Sequence, residues 1–224
     1  MTNRGTAGSL VLAVAAFGVA CGGSEKAIVD RYFGALRSGD NQTLSSFAAV
    51  RLEETAESWT IDATSEETRV PAPLPELTAR LSELEAELEE NKNQANAYAL
   101  DRLDEVDQVR ELVREEKPIP RRLEEVAAKW QEYNDRDREL KGQIGDARHA
   151  KESELGIVKL SVGDVDGVET RTGELLTKQL DLTLRIDGLA KPYTMELRRY
   201  QLENPEGASR PMSRWVVYSL EPKG

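Results

Sequence analysis

Residues 70–90 read VPAPLPELTARLSELEAELEE, and this stretch decides the architecture. Pro71, Pro73 and Pro75 fix the backbone in extended form and cannot donate to a ladder, so they read as a stiff connector. Leu77, Leu81, Leu84 and Leu88 then follow at 4-3-4 spacing, the apolar repeat of a coiled-coil seam. The same register runs on through Asn91, Ala95, Ala99, Leu103, Val106 and Val113, and residues 76–116 contain neither Gly nor Pro. The 4-4 step at Ala95, Ala99 and Leu103 predicts an eleven-residue phase correction that locally unwinds a supercoil. Lys117-Pro118-Ile119-Pro120 ends the pattern. A second helix is expected over 121–155, with Val126, Trp130, Tyr133, Asp137, Leu140, Ile144 and Ala147 on its seam. Gly142 and Gly145 weaken its later half. Two patterns of similar length joined by a tight Pro turn predict an antiparallel helical hairpin over 76–155, each rod roughly 55 Å long at 1.5 Å per residue. The seam alone is equally satisfied by a second copy of the chain, so homo-oligomerisation stays open beside the hairpin. Asp137 either sets the register or leaves one end loose.

Composition agrees with a protruding hairpin. The chain has 224 residues, 39% hydrophobic, 32% charged and 5% aromatic, too lean a mixture for one core to use all of it. The net charge is -11, and such a field repels phosphate backbones, which argues against nucleic acid as a partner. Residues 76–155 hold 22 acidic and 14 basic side chains, so most of that charge sits on the hairpin's wet faces. One Cys and one His leave no thiol pair, no Cys/His zinc site and no His-based triad. His149, inside the hairpin, is expected on a solvated face.

The flanks read differently. Residues 24–38 place Ile28, Val29, Tyr32, Phe33 and Leu36 on one stripe, an amphipathic helix. Ser24 is its expected N-cap, Glu25 suits its positive end, Arg37 its negative end, and Gly39 its stop. Asp40 and Asn41 can cap a short second helix with Leu44, Phe47, Ala48 and Leu52 inward. Beyond Gly156 the pattern is read as period two: Ile157, Lys159 and Ser161 against Val158, Leu160 and Val162, then a turn at Asp166-Gly167. Leu180, Leu182, Leu184 and Ile186 alternate cleanly, Asp187-Gly188 turns the chain, and Tyr193, Met195, Leu197 and Arg199 share a face. A loop over 204–211 leads to a last strand from Trp215 to Leu220. The expected fold class is therefore α+β: N-terminal helices (25–70) packed on an antiparallel sheet (156–222), interrupted by a coiled-coil hairpin (76–155).

The chain starts with Arg4 in a short polar stretch, an uncharged run over 9–20, and the sole cysteine, Cys21. That run is too short to span a bilayer comfortably and reads as a secretory signal. Val19, Ala20 and Cys21 resemble the lipobox of bacterial lipoproteins, with Gly18 where that family prefers Leu. The resemblance implies cleavage of residues 1–20, a diacylglyceryl thioether and an amide-linked acyl chain on Cys21, and a tether of 21–24 that keeps the body close to the headgroups. Membrane lipid is thus the expected partner of Cys21. The expected location is the bacterial cell envelope, facing the periplasm or the exterior.

The order of elements carries a second resemblance. Ala27-Ile28-Val29-Asp30-Arg31-Tyr32-Phe33-Gly34-Ala35-Leu36 with Gly39-Asp40, then Asp187-Gly188, Leu197-Arg198-Arg199-Tyr200 and Arg214-Trp215, resemble the nuclear transport factor 2-like superfamily over about 25–65 and 157–222. That likeness implies a curved sheet wrapped round a helix into a cone, with the hairpin as an insertion. Enzymes of the superfamily put Asp, His or Tyr inside the cone, which makes Asp30, Tyr32, Tyr193 and Tyr218 the groups to inspect. Asp164-Val165-Asp166-Gly167-Val168-Glu169 is a fragment of a calcium loop without its later ligands and reads better as a turn. No catalytic residue, metal or cofactor is indicated. At the hairpin tip Ile119 stands between two prolines with Lys117, Arg121 and Arg122 around it, the candidate contact for an envelope protein partner. The expected function is a non-enzymatic lipoprotein whose hairpin spaces or binds another envelope component. The alternative is a cone that holds a small apolar ligand or acid-base chemistry, with the hairpin as lid or dimer strut.

Overall fold

The computed structural model describes residues 23–203 and 213–223. Cys21, the signal-like run and the 204–211 loop lie outside the described residues. The fold is α+β. The elements, in chain order, are α1 (Gly23–Ser38), α2 (Asn41–Ser45), β1 (Ser58–Thr64), β2 (Thr68–Pro71), α3 (Leu74–Asp101), α4 (Leu103–Arg114), α5 (Glu124–Val162), β3 (Gly173–Ile186), β4 (Leu189–Leu202) and β5 (Val216–Pro222). All strand pairings are antiparallel, in the order β1-β3-β4-β5, and β2 continues the β1 edge along the first half of β3.

β3 and β4 form a long hairpin because Asp187 and Gly188 both take positive φ, 53° and 75°, the twist that a two-residue turn needs to match its strands. Leu180 pairs with Met195 and Leu182 with Tyr193, so these side chains share one face. There Val29, Tyr32 and Phe33 of α1 join them in a single buried cluster with Val217 and Leu220 of β5. Asp40 caps α2 by accepting from the Thr43 amide at 2.9 Å. The segment after α2 then seals the β5 edge, where Val217 donates to the Phe47 carbonyl and Ala49 to the Val217 carbonyl. β-Bulges at Ile61/Ala63 and Glu196/Leu197 bend the sheet around α1.

Several readings of the sequence need correction: the short second helix ends at Ser45, leaving Phe47, Ala48 and Leu52 beyond it, and the expected extended connector is already helical from Leu74, with Pro75 inside α3. Residues 157–162 are not a strand but the last turns of α5. Ile157, Val158, Ser161 and Val162 are all buried, a spacing of 1, 3 and 1 that belongs to period 3.6 and not period two. Gly156 does not stop the helix; Gly163, with φ 83°, does. Asp166-Gly167 accordingly joins a helix to a single 3-10 turn over Val168–Thr170, not two strands. The N-terminal part is not wholly helical, because β1 and β2 lie within it. Finally, α1 begins at Gly23, so Ser24 lies inside the helix and not at its cap.

The end of α5 positions the hairpin. Leu175 pairs with Tyr200 on the face away from α1. Both join Ile157, Val158 and Val162 of α5, with Ala72 and Leu74 at the start of α3, in a second buried cluster. The sheet is thus clasped between α1 on one side and the root of the hairpin on the other.

Candidate functional site

The hairpin is the feature that the sequence singled out, and its packing comes in two separate pieces. Near the body, Leu84 of α3 meets Leu140 and Ile144 of α5, with Leu81, Leu88 and Ala147 around them. Near the tip, Ala99, Val106, Val109, Leu123 and Val126 form a knot that Trp130, Tyr98 and Ile119 complete. Between the two clamps the seam is polar: Asn91 donates to the Tyr133 carbonyl at 3.1 Å, and Asp137 pairs sideways with Lys141 at 2.6 Å. Asp137 therefore sits in a gap in the seam and does not bond across it. Two ion pairs join the helices from outside, Arg136–Glu87 at 2.7 Å and Arg148–Glu85 at 3.0 Å. Each is exposed and contributes about 0–1 kcal/mol.

The expected phase correction takes the form of a break. Arg102, at φ -122° and ψ 36°, separates α3 from α4; beyond it Val106 is buried as the register expects, and Val109 is buried with it. Leu103 and Val113, expected on the seam, are instead 51% and 61% exposed, and Leu100 beside them is 76% exposed. Grooves flank the gap on both sides. The larger, about 1370 Å³, runs between α3 and α5 past Glu83, Ala86, Glu90, Tyr133 and Arg136.

At the tip the structure brings Lys117, Ile119, Arg121 and Arg122 into one turn but does not make an apolar point of it. Ile119 packs back onto the distal knot. Lys117 pairs with Glu115 at 2.8 Å, and Arg122 donates to Gln108 at 2.6 Å. Of the four, Arg121 is left with its charge to solvent in this geometry, being exposed.

At the root, sequence reasoning missed a buried polar joint. The Tyr200 hydroxyl, on β4, donates to the Glu154 carboxylate of α5, and both residues are buried. Arg198 lies within 3.8 Å of the same carboxylate and stacks 3.3 Å from the Tyr218 ring centroid. Two turns on, Ser161 Oγ accepts the Tyr200 amide at 3.0 Å and donates to the Arg214 carbonyl at 2.9 Å. The only signal in the sequence was a Glu and a Ser on the stripe that also buries Ile157 and Val158, which the strand reading hid. Burial, and then the Glu154 carboxylate, push the Tyr200 phenol well above its ordinary 10.0. The native state therefore keeps a proton that the unfolded chain releases above about pH 10, so stability falls as pH rises past that point. Tyr32 and Tyr193 are raised in the same direction, and Tyr200→Phe is expected to make the alkaline fall in a pH series of urea midpoints shallower without abolishing it. Glu154→Ala, which strands the Tyr200 hydroxyl, should cost about 2 kcal/mol by urea unfolding.

The groups inspected for acid-base work are all held by structural partners. Tyr32 donates to the Val50 carbonyl and accepts the Leu52 amide at 3.0 Å. Asp30 accepts Trp59 Nε1 at 2.8 Å and bonds Lys26, and these two hold its carboxyl below its ordinary range, the wrong direction for a proton donor near neutrality. Tyr193 donates to Glu54 at 2.9 Å, and Tyr218 lies under Arg198. Val29, Tyr32 and Phe33 of α1, at most 2% exposed, pack against the sheet in one buried cluster. His149 is exposed on α5, as expected. Asp164 and Glu169 pair with Lys159 and Lys151, and among the described residues no three His, Cys, Asp or Glu side chains gather as a metal site.

Comparison of the chain with protein-family models, curated proteins and solved structures gave no match. Its site is therefore read from geometry alone. No helix among the described residues is long and apolar enough to cross a membrane.

Proposed function

We propose that this chain is a non-catalytic lipoprotein of the bacterial cell envelope. Cys21 anchors it in membrane lipid, a body of the nuclear transport factor 2-like type sits close to the headgroups, and the hairpin projects as an interaction or spacer module. The observation that carries this reading is the construction of the hairpin. It closes its own two apolar clamps, leaves its flanks wet, and is fastened to the sheet by Glu154, Tyr200 and Ser161. A lid would need a loose root; here the root is bonded, and Val29, Tyr32 and Phe33 pack against the sheet. Because α1 starts two residues after Cys21, the acylated sulfur lies within about 10 Å of the folded body.

The test is a pull-down from solubilised membranes with the intact chain and with a version lacking 82–147. Cutting there keeps Glu154 and the second core, and a four-residue Gly/Ser loop spans the 8–10 Å between packed helices. Partners should vanish with the hairpin, while identical partner lists would overturn the reading. Labelling with a palmitate analogue should mark the wild type and not Cys21→Ser.

A further inference from the structure

We infer that the larger groove between α3 and α5 is a seat for a basic amphipathic helix of another protein, which packs beside Tyr133 as a third helix. This rests on the reading of the hairpin as an interaction module and names the chemistry of what it binds. Shape comes first. The groove runs between two antiparallel helices, the place a third helix takes in a bundle. It also lies beside the stretch where Asn91 and Asp137 leave the seam polar, so Ala86 and the Tyr133 ring, which Lys129 approaches from one side at 4.9 Å and Tyr98 from another at 5.8 Å, line it.

Charge selects the occupant. Glu83, Glu87 and Glu90 stand at i, i+4 and i+7 along one wall, a row that a helix bearing Lys or Arg at the same spacing would face. Glu83 and Glu90 bond only within α3, to Arg80 and Gln94. The cations of the lining are already paired: Lys129 with Glu132, Arg136 with Glu87 and Glu139, and Arg138 with Asp135. The field left over in the groove is negative. A second copy would bring its own net -8 hairpin against this one, and like-charge juxtaposition opposes that. A helix of opposite sign meets no such penalty.

The experiment uses the full chain in detergent and two synthetic three-heptad peptides with Leu at a and d, one with Lys and one with Glu at e and g. Binding is read by fluorescence anisotropy. The Lys peptide should bind at least about tenfold more tightly than the Glu peptide, and Glu83→Lys/Glu90→Lys should weaken it by about tenfold. Glu105→Lys/Glu111→Lys, the same charge change on α4 outside the groove, should leave binding unchanged. Circular dichroism checks that both variants keep their helix content. Equal weakening by the two variants would mean only diffuse attraction and would overturn the groove. So would no binding, or no preference for the Lys peptide. If the groove fails while partners still vanish with 82–147, the hairpin reading stands and only its occupant is wrong.

Discussion

Phe33→Ala is expected to destabilise the body by about 3–5 kcal/mol, the cost of emptying a fully packed aromatic site. Phe33 is 2% exposed. It meets the Tyr32 ring edge-on at 5.1 Å and stacks on Trp59 at 4.9 Å. Trp59 is in turn fixed by its bond to Asp30 and by Arg37 over its ring. Losing Phe33 therefore empties a site and frees the indole that ties β1 to α1. Against a total of about 5–15 kcal/mol for a typical domain, this leaves the body marginal. Urea unfolding followed by tryptophan emission checks it. A loss below about 1 kcal/mol would mean that α1 is not the centre of the core.

The second large effect belongs to a residue with no side chain. Gly173 opens β3 with φ 153°, and a Cβ built on it would lie 2.3 Å from the Gln201 carbonyl oxygen of β4. Both the backbone conformation and the clash with main chain act against any other residue. Gly173→Ala should cost about 3 kcal/mol, the sum of a strained dihedral and an overpacked contact. The damage should spread to the hairpin, because the Gly173 carbonyl accepts the Ala72 amide at 2.9 Å, just before α3 begins. Hydrogen exchange should accelerate at Ala72 and along β2, while α1 stays protected.

Much of this architecture was legible in the sequence. Leu77 to Leu88 announced the hairpin, Leu180 to Ile186 the central strand, Asp187-Gly188 its turn, and Ile28 to Leu36 the packing helix. Each is a local pattern whose period matches its partner surface. What was misread depended on long-range partners. Six residues, 157–162, fit both periods, and the choice fell to a sheet face formed by Leu175 and Tyr200. β1 is half-buried only at Trp59 and Ile61, a weak alternation that could have revealed it. β2 is exposed throughout and exists because β3 offers an edge. At the candidate site, the tip residues were found but their direction was not, since Ile119 turns inward onto the distal knot. The joint of Glu154, Tyr200 and Ser161 was invisible because its members are 46 and 39 residues apart in the chain.

The two sides of the hairpin differ in continuity. α5 runs unbroken for 39 residues, whereas its neighbour is interrupted at Arg102. Under sideways load one side behaves as a mast and the other as a jointed stay. A pull on the far end is delivered by the mast to β4 and β5, through Tyr200 and Arg214, while the joint yields first. A tug on the tip would thus reach the sheet as torque on the face opposite α1.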